Sequence, residues 1–439
     1  MKRDLTIYLN EWKNDEDRKP LLLKGARQVG KSYLARELGN DFQGFVEINF
    51  EFEPGLKSLF EKDLDPVRIT RDLSIALDQD IIPGETLLFL DEIQECPKAI
   101  TSLRYFYEKM PRLHVMAAGS LLEFVIEELG IPVGRVMPLY LYPLSFLEFL
   151  TASGNERLRH EIQHHNPKEE FPGLIHNKLL DLIGEYMSVG GMPEAVQKWI
   201  DTGNLKTCMK IHQMLIETYR QDFTKYAKKR KREYVEMVFD SIPRLSGKKF
   251  IFTAVSPHVR ARELRPALEL LAKAGVAHIV YHSASNGVPL GAEVNPLISK
   301  VIFLDVALAQ SVLGIDYGQW ILDPVHSIIN RGAITESFVG QELLAYGSPF
   351  IKNQLYYWIR EQSGGLAEVD YTAAVNGQVV PLEIKSGKTG SLKSIQVFLE
   401  KKRNSPYGIH FSQRNYFMDK KVKQYPLYAV SSALTTGII

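Results

Sequence analysis

Residues 21–39 read LLLKGARQVGKSYLARELG. The apolar run from Leu21 predicts a short buried strand ending at Lys24, and the residues from Tyr33 onward predict a helix. Between them Gly25-Ala26-Arg27-Gln28-Val29-Gly30-Lys31-Ser32 fits the pattern GxxxxGK[ST], in the strand–loop–helix context that the pattern requires. Glycines are needed because backbone N–H groups must wrap a phosphate closely, and the helix N-terminus adds a dipole that favours an anion. Lys31 is placed to reach the β- and γ-phosphates, and Ser32 to hold Mg²⁺. All eight positions from Gly25 to Ser32 are therefore candidates for binding a nucleoside triphosphate with Mg²⁺.

Such a loop needs an acidic strand, and TLLFLDEIQECP at 86–97 supplies one, ending in Asp91-Glu92. Consecutive apolar residues of this kind mark a strand covered on both faces. Asp91 is the candidate for the Mg²⁺ shell, and Glu92 sits where a carboxylate polarises an attacking water. GFVEINFE at 44–51 predicts a strand between the two motifs, and LHVMAAGSLLEF at 113–124 a further one, with Ser120 at the carboxyl end where open α/β sheets bind ligands.

These residues resemble AAA-type ATPases: a phosphate loop, a DE-terminated strand and a polar residue after the next strand. More narrowly, GARQVGKS, LFLDEIQECP, AAGSLLEF, GRVMPLYLYPLSFLEFL and YMSVGGMPEAV are similar to a family of prokaryotic P-loop ATPases whose C-terminal part is a domain of unknown function. The resemblance spans nearly the whole chain. It implies ATP as the nucleotide, Ser120 as a sensor of the phosphates, and an arginine before the fifth strand that touches the γ-phosphate, often from a neighbouring subunit. Arg135 occupies that place, with Arg104 and Arg112 as rivals, and a homo-oligomer is implied if the arginine acts across subunits. A cation there would balance charge on the transferring phosphoryl oxygens.

Residues 151–220 are helical by pattern and are expected to form the ATPase lid. The adjacent His164 and His165 fall on different helix faces and do not suggest a metal site. A basic run from Lys225 to Arg232 precedes a helix, strand, loop and strand in the order of a winged helix. Arg260, Arg262 and Arg265 lie near the start of its expected recognition helix, where groove and phosphate contacts are made. Winged helices also dock proteins, so DNA and protein partners both stand.

LAEVDYTAAVNGQVVPLEIKSGK at 366–388 contains Asn376-Gly377 between two β-rich runs, the signature of a two-residue type I′ hairpin. A turn there makes paired residue numbers sum to 753, so Asp370 opposes Glu383 and Glu368 opposes Lys385, all on one face. Opposed carboxylates repel unless a divalent cation lies between them. Asp370, Glu383 and Lys385 resemble the D…ExK pattern of the PD-(D/E)XK nuclease-like fold, which implies Mg²⁺ on the carboxylates and a lysine beside the attacking water. Glu336 matches the acidic residue of the preceding helix and Gln396 the helix that follows; Pro381, inside the second strand, departs from a regular ladder. SGKTGS at 386–391 lacks the upstream glycine at the spacing a phosphate loop needs and reads as a turn.

Composition bounds the rest. A chain of 439 residues exceeds the size of one growing core. Its 53 basic and 52 acidic residues leave a net charge of +1, so a nucleic-acid site must be a local patch. Cys96 and Cys208 have no metal-ligand spacing, no apolar run approaches the roughly 18 residues of a membrane helix, and the first residues lack a signal-peptide core. A cytoplasmic α/β protein is expected: an AAA-like parallel sheet at 1–150, a helical lid at 151–220, a winged-helix-like module at 221–325 and a restriction-nuclease-like domain at 326–439. The expected function is Mg-dependent ATP hydrolysis coupled to binding or processing of DNA or RNA. The alternative is an ATP-switched regulator or scaffold whose nuclease-like domain cuts nothing.

Overall fold

The structure, a computed structural model, describes residues 1–120, 122–129, 134–226, 229–314, 332–360, 367–387 and 391–435. Its contacts gather into two compact units. One holds Lys2–Tyr142 together with Ser348–Lys352; the other holds Pro143–Gly347 and the chain from Asn353 onward.

The N-terminal unit is built on five parallel strands: β1 (Leu21–Lys24), β2 (Gly44–Asn49), β3 (Thr86–Asp91), β4 (His114–Ala118) and β5 (Met137–Tyr140). Their spatial order is β2-β3-β4-β1-β5. Every residue of β1, β3 and β4 is buried, as continuous apolar runs demand when helices cover both faces. Leu22, Leu88, Leu90 and Val115 pack against Ile69, Leu73, Leu103 and Phe106 of the flanking helices Pro66–Leu77 and Pro97–Lys109. The order interposes β4 between the loop-bearing β1 and the acidic β3, so Ser120, just beyond β4, follows the strand that separates the two motifs. All of these ends lie on the carboxyl side of a parallel sheet, where the chain reverses its direction of spread.

The C-terminal unit carries an eight-stranded mixed sheet. Its strands are β6 (Ala277–Ser283), β7 (Val294–Phe303), β8 (Leu355–Ile359), β9 (Glu368–Val375), β10 (Gln378–Ile384), β11 (Gly408–Ser412), β12 (Phe417–Met418) and β13 (Val422–Pro426). They lie in the order β12-β13-β11-β10-β9-β8-β6-β7. Asn376 and Gly377 adopt φ of 49° and 73°, the left-handed pair of a type I′ turn, and the β9–β10 register of Gln378 with Val375 through Leu382 with Tyr371 follows the expected sum of 753. Pro381 is accommodated opposite Thr372 within this ladder.

The helices at 151–220 gather with the C-terminal unit by contact, and the division falls after Tyr142. Helices Lys229–Leu245 and Ala261–Lys273 precede the β6–β7 hairpin in the order expected for a winged helix, but β6 also pairs in parallel with β8. The hairpin is thus the edge of the larger sheet and not a free wing, because the apolar β6 satisfies backbone groups on both sides. Residues 227–228 of the basic run, 388–390 of the SGKTGS turn and the expected boundary at 325–326 lie outside the described residues.

Candidate nucleotide site and C-terminal acidic cluster

At the end of β1 the chain turns through Gly25 at φ 147°, where a Cβ would lie 2.2 Å from the Leu141 carbonyl oxygen. Only glycine fits there. Gln28 and Gly30 take φ of 63° and 98°, curling the loop onto the helix Lys31–Gly39. Ala26 and Val29 bury their side chains, Arg27 is half-buried and Gln28 is exposed, so what these positions offer a phosphate is chiefly backbone N–H. Arg3, unremarked in the sequence, pins the loop by donating to the Val29 carbonyl at 3.0 Å and to the Tyr142 carbonyl at 2.7 Å.

Lys31 is buried and donates to the carbonyls of Gly25 at 3.0 Å and Ala26 at 2.8 Å. Burial pulls its ammonium down to a pKa of about 8 against the opposing pull of Glu92 and Asp91, with Arg27 adding to the depression. The Ser32 hydroxyl donates to Asp91 Oδ2 at 2.8 Å, which joins the loop to the acidic strand across β4. Burial raises the Asp91 carboxyl, and the Ser32 bond opposes the rise. A hydroxyl and a buried carboxylate beside a lysine form an oxygen donor set suited to Mg²⁺.

Glu92 sits at φ 46°, a left-handed conformation rare outside glycine and typical of functional sites. Gln94 Nε2 donates to Glu92 Oε2 at 2.5 Å. Gly119 makes room for that amide, since a Cβ there would fall 2.1 Å from Gln94 Oε1. Asn49, at the end of β2, reaches Asp91 Oδ2 at 3.5 Å. Asn49 escaped the sequence reading because only the pairing of β2 with β3 brings it to Asp91, whereas Gln94 lies two residues beyond Glu92 and meets it through the tight turn after β3. Ser120 is 7% exposed and its hydroxyl has no hydrogen-bond partner among the described residues. Arg135 is exposed and pairs with Glu108 at 3.3 Å, sharing it with Arg104 at 2.9 Å.

In the C-terminal unit the expected metal ligands divide into two groups. Glu336, on the helix Gly332–Ala345, and Asp370, on β9, surround the ammonium of Lys300 from β7 together with Glu368, which was expected only to oppose Lys385. Lys300 lies 2.9 Å from Glu336 and 3.9 Å from Asp370, is hydrogen-bonded to Glu368, and is only 1% exposed. Glu383 pairs instead with Lys385. Asp370 Oδ2 accepts from the Ile384 N–H at 2.7 Å, and Glu383 Oε2 is buried with no hydrogen-bond partner among the described residues. Among the described residues, no three or more His, Cys, Asp or Glu side chains are arranged to hold a metal ion. The Glu368 to Lys385 pair implied by the hairpin register gives way to Glu368 with Lys300, because Lys385, just past the end of β10, turns back to Glu383.

Gln396 is exposed and lines a separate cleft of about 950 Å³ with His410, Gln413, Arg414 and Gln424. Arg260 and Arg262 are exposed at the start of their helix, whereas Arg265 packs over the Phe252 ring at 5.3 Å. No described helix is long and apolar enough to cross a membrane.

Comparison with known proteins divides the chain in three. Residues 17–150 match the AAA domain family, residues 180–319 a domain of unknown function (DUF8612), and residues 331–430 another (DUF4143). Among solved structures, a Walker-type ATPase of Pyrococcus abyssi is 18% identical over 71% of this chain and 95% of its own, with a TM-score of 0.45. AMPPCP-bound DnaA from Aquifex aeolicus is 12% identical over 61% of this chain and 89% of its own, with a TM-score of 0.27. A signal-transduction ATPase with a tetratricopeptide-repeat sensor from Pyrococcus horikoshii is 12% identical over 79% of this chain and 48% of its own, with a TM-score of 0.28. No curated protein matches the chain. Residues 17–150 thus carry the phosphate loop and the acidic strand and match the AAA domain family.

Proposed function

We propose that the protein binds ATP with Mg²⁺ at the Gly25–Ser32 loop and hydrolyses it, and that the nucleotide state governs nucleic-acid binding or processing by the C-terminal unit. The observation that carries the first part is the 2.8 Å bond from Ser32 to Asp91, which brings the two metal-binding chemistries together beside Lys31. Backbone N–H groups of the loop hold phosphate oxygens, and Lys31 leaves the Gly25 and Ala26 carbonyls for the β- and γ-phosphates. Ser32 and Asp91 would hold Mg²⁺, which when bound neutralises charge on the phosphate oxygens. Glu92, released by Gln94, orients the attacking water and accepts its proton at Oε2, while the unpartnered Ser120 hydroxyl is a donor available to the terminal phosphate. Arg135, exposed at the surface, is the candidate to complete a neighbouring subunit's site.

The test is ATP turnover by the full chain. Lys31→Ala should abolish binding and turnover, whereas Glu92→Gln should keep binding and lose about 10²–10³-fold in kcat, as loss of a general base does. Turnover that persists in Lys31→Ala would sink the assignment. The nucleic-acid part is supported by exposed Arg260 and Arg262 and by the placement of Asp370, Glu383 and Lys385 at one end of a hairpin. Cleavage of labelled DNA and RNA, with and without ATP, tests it, with Glu383→Ala as the control.

The second reading is an ATP-switched regulator whose nuclease-like domain binds a partner and cuts nothing. The lysine inside the acidic cluster favours it.

A further inference from the structure

We propose that the Lys300 ammonium permanently replaces a divalent cation in the Glu336–Glu368–Asp370 cluster, so that this domain keeps its carboxylates together without a metal. This inference concerns the C-terminal unit alone and stands whether or not the ATPase reading does.

Helix Gly332–Ala345 and strand β9 bring three carboxylates, with Glu368 the most exposed of them, around one buried point, where their charge has to be balanced by a cation or by protons. An oxygen-ligated metal would need that point, at about 2.0–2.6 Å from the same oxygens. Lys300 already fills it: its Nζ touches Glu336 and Glu368, faces Asp370, and lies 5.0 Å from the centre of the Tyr357 ring. Ammonium and metal exclude each other by volume and by charge.

The remaining groups are accounted for in the same way. Glu383 has its own cation in Lys385, and one oxygen of Asp370 is taken by the Ile384 N–H. Among the described residues, four carboxylates against two ammoniums leave excess negative charge, which protons cancel in part: burial raises both Glu336 and Glu383 to about 7. Burial alone would lower Lys300, yet Glu336, Asp370 and Glu368 outweigh it and keep the ammonium charged. The free Oε2 of Glu383 is a single ligand and does not by itself make a metal site.

The experiment titrates Mn²⁺, followed by electron paramagnetic resonance, into nucleotide-free full-length protein carrying Ser32→Ala and Asp91→Asn to silence the other site. We expect no bound Mn²⁺ in this background. Adding Lys300→Met should create one site, at least tenfold tighter than any residual binding, and adding Glu336→Gln to that should remove it. Mn²⁺ held by the Lys300-containing background and released by Asp370→Asn would overturn the proposal. So would a folded Lys300→Met protein that gains no site. If Lys300→Met folds only when Mn²⁺ is present, the proposal is supported. If it fails in both conditions while Lys300→Met with Glu336→Gln folds, a metal cannot replace the ammonium and the proposal fails.

Discussion

Raising the pH from 7 to 9 should weaken nucleotide binding in a manner set by one side chain. Lys31 is buried in the phosphate loop and its ammonium titrates at about 8, well below the usual lysine value of 10.5. If only the charged form receives the phosphates, the competent fraction falls from roughly 0.9 at pH 7 to roughly 0.1 at pH 9, so Kd rises about tenfold, or about 1.4 kcal/mol. The terminal phosphate of ATP is ionised throughout this window, and the charged neighbours of Lys31 are Asp91, Glu92 and Arg27. Stability of the ligand-free unit should run the other way. The unfolded chain binds the extra proton between pH 8 and 10.5, so the lysine's burial penalty is full below 8 and is relieved as the pH rises through that interval. Calorimetric or fluorescence titration at pH 7, 8 and 9 reads the affinity. Lys31→Arg, charged at every pH used, should bind more weakly with a flat profile. A wild-type Kd that does not change with pH, or an equal slope in Lys31→Arg, would refute the reasoning.

Two further outcomes follow from the geometry. Gly25→Ala places a Cβ 2.2 Å from the backbone oxygen of Leu141 at a φ that side chains avoid, so the loop must shift; ATP affinity should drop by about 1–3 kcal/mol in a titration, with a smaller change in melting temperature. Asp305 is fully buried and accepts from the N–H groups of Ala307 at 2.9 Å, Leu308 at 3.0 Å and Gly191 at 2.7 Å. Asp305→Ala strands all three donors and should cost about 3–5 kcal/mol in urea unfolding of the C-terminal unit, whereas Asp305→Asn should recover more than half.

Features that depend on neighbours within a dozen residues were legible along the chain. The glycine spacing of the loop, the apolar run before Asp91 and the Asn376-Gly377 turn each impose a local backbone, and the turn alone set the β9–β10 register. Strand order is not local. Pairing β2 with β3 brings Asn49 to Asp91, and joining β6 to β8 makes one sheet of what reads as separate modules. Lys300 shows the limit most plainly. Within NPLISKVIFLD it reads as a polar residue on an edge strand, and nothing in its surroundings along the chain marks it. Its partners come from a later helix and a later hairpin, and only the packed sheet brings their carboxylates to one ammonium. The sequence by itself determined the phosphate loop, because short-range backbone conformation suffices to build it. Tertiary structure decided what cation the acidic cluster holds, because in a buried site that choice depends on which charges long-range packing brings together.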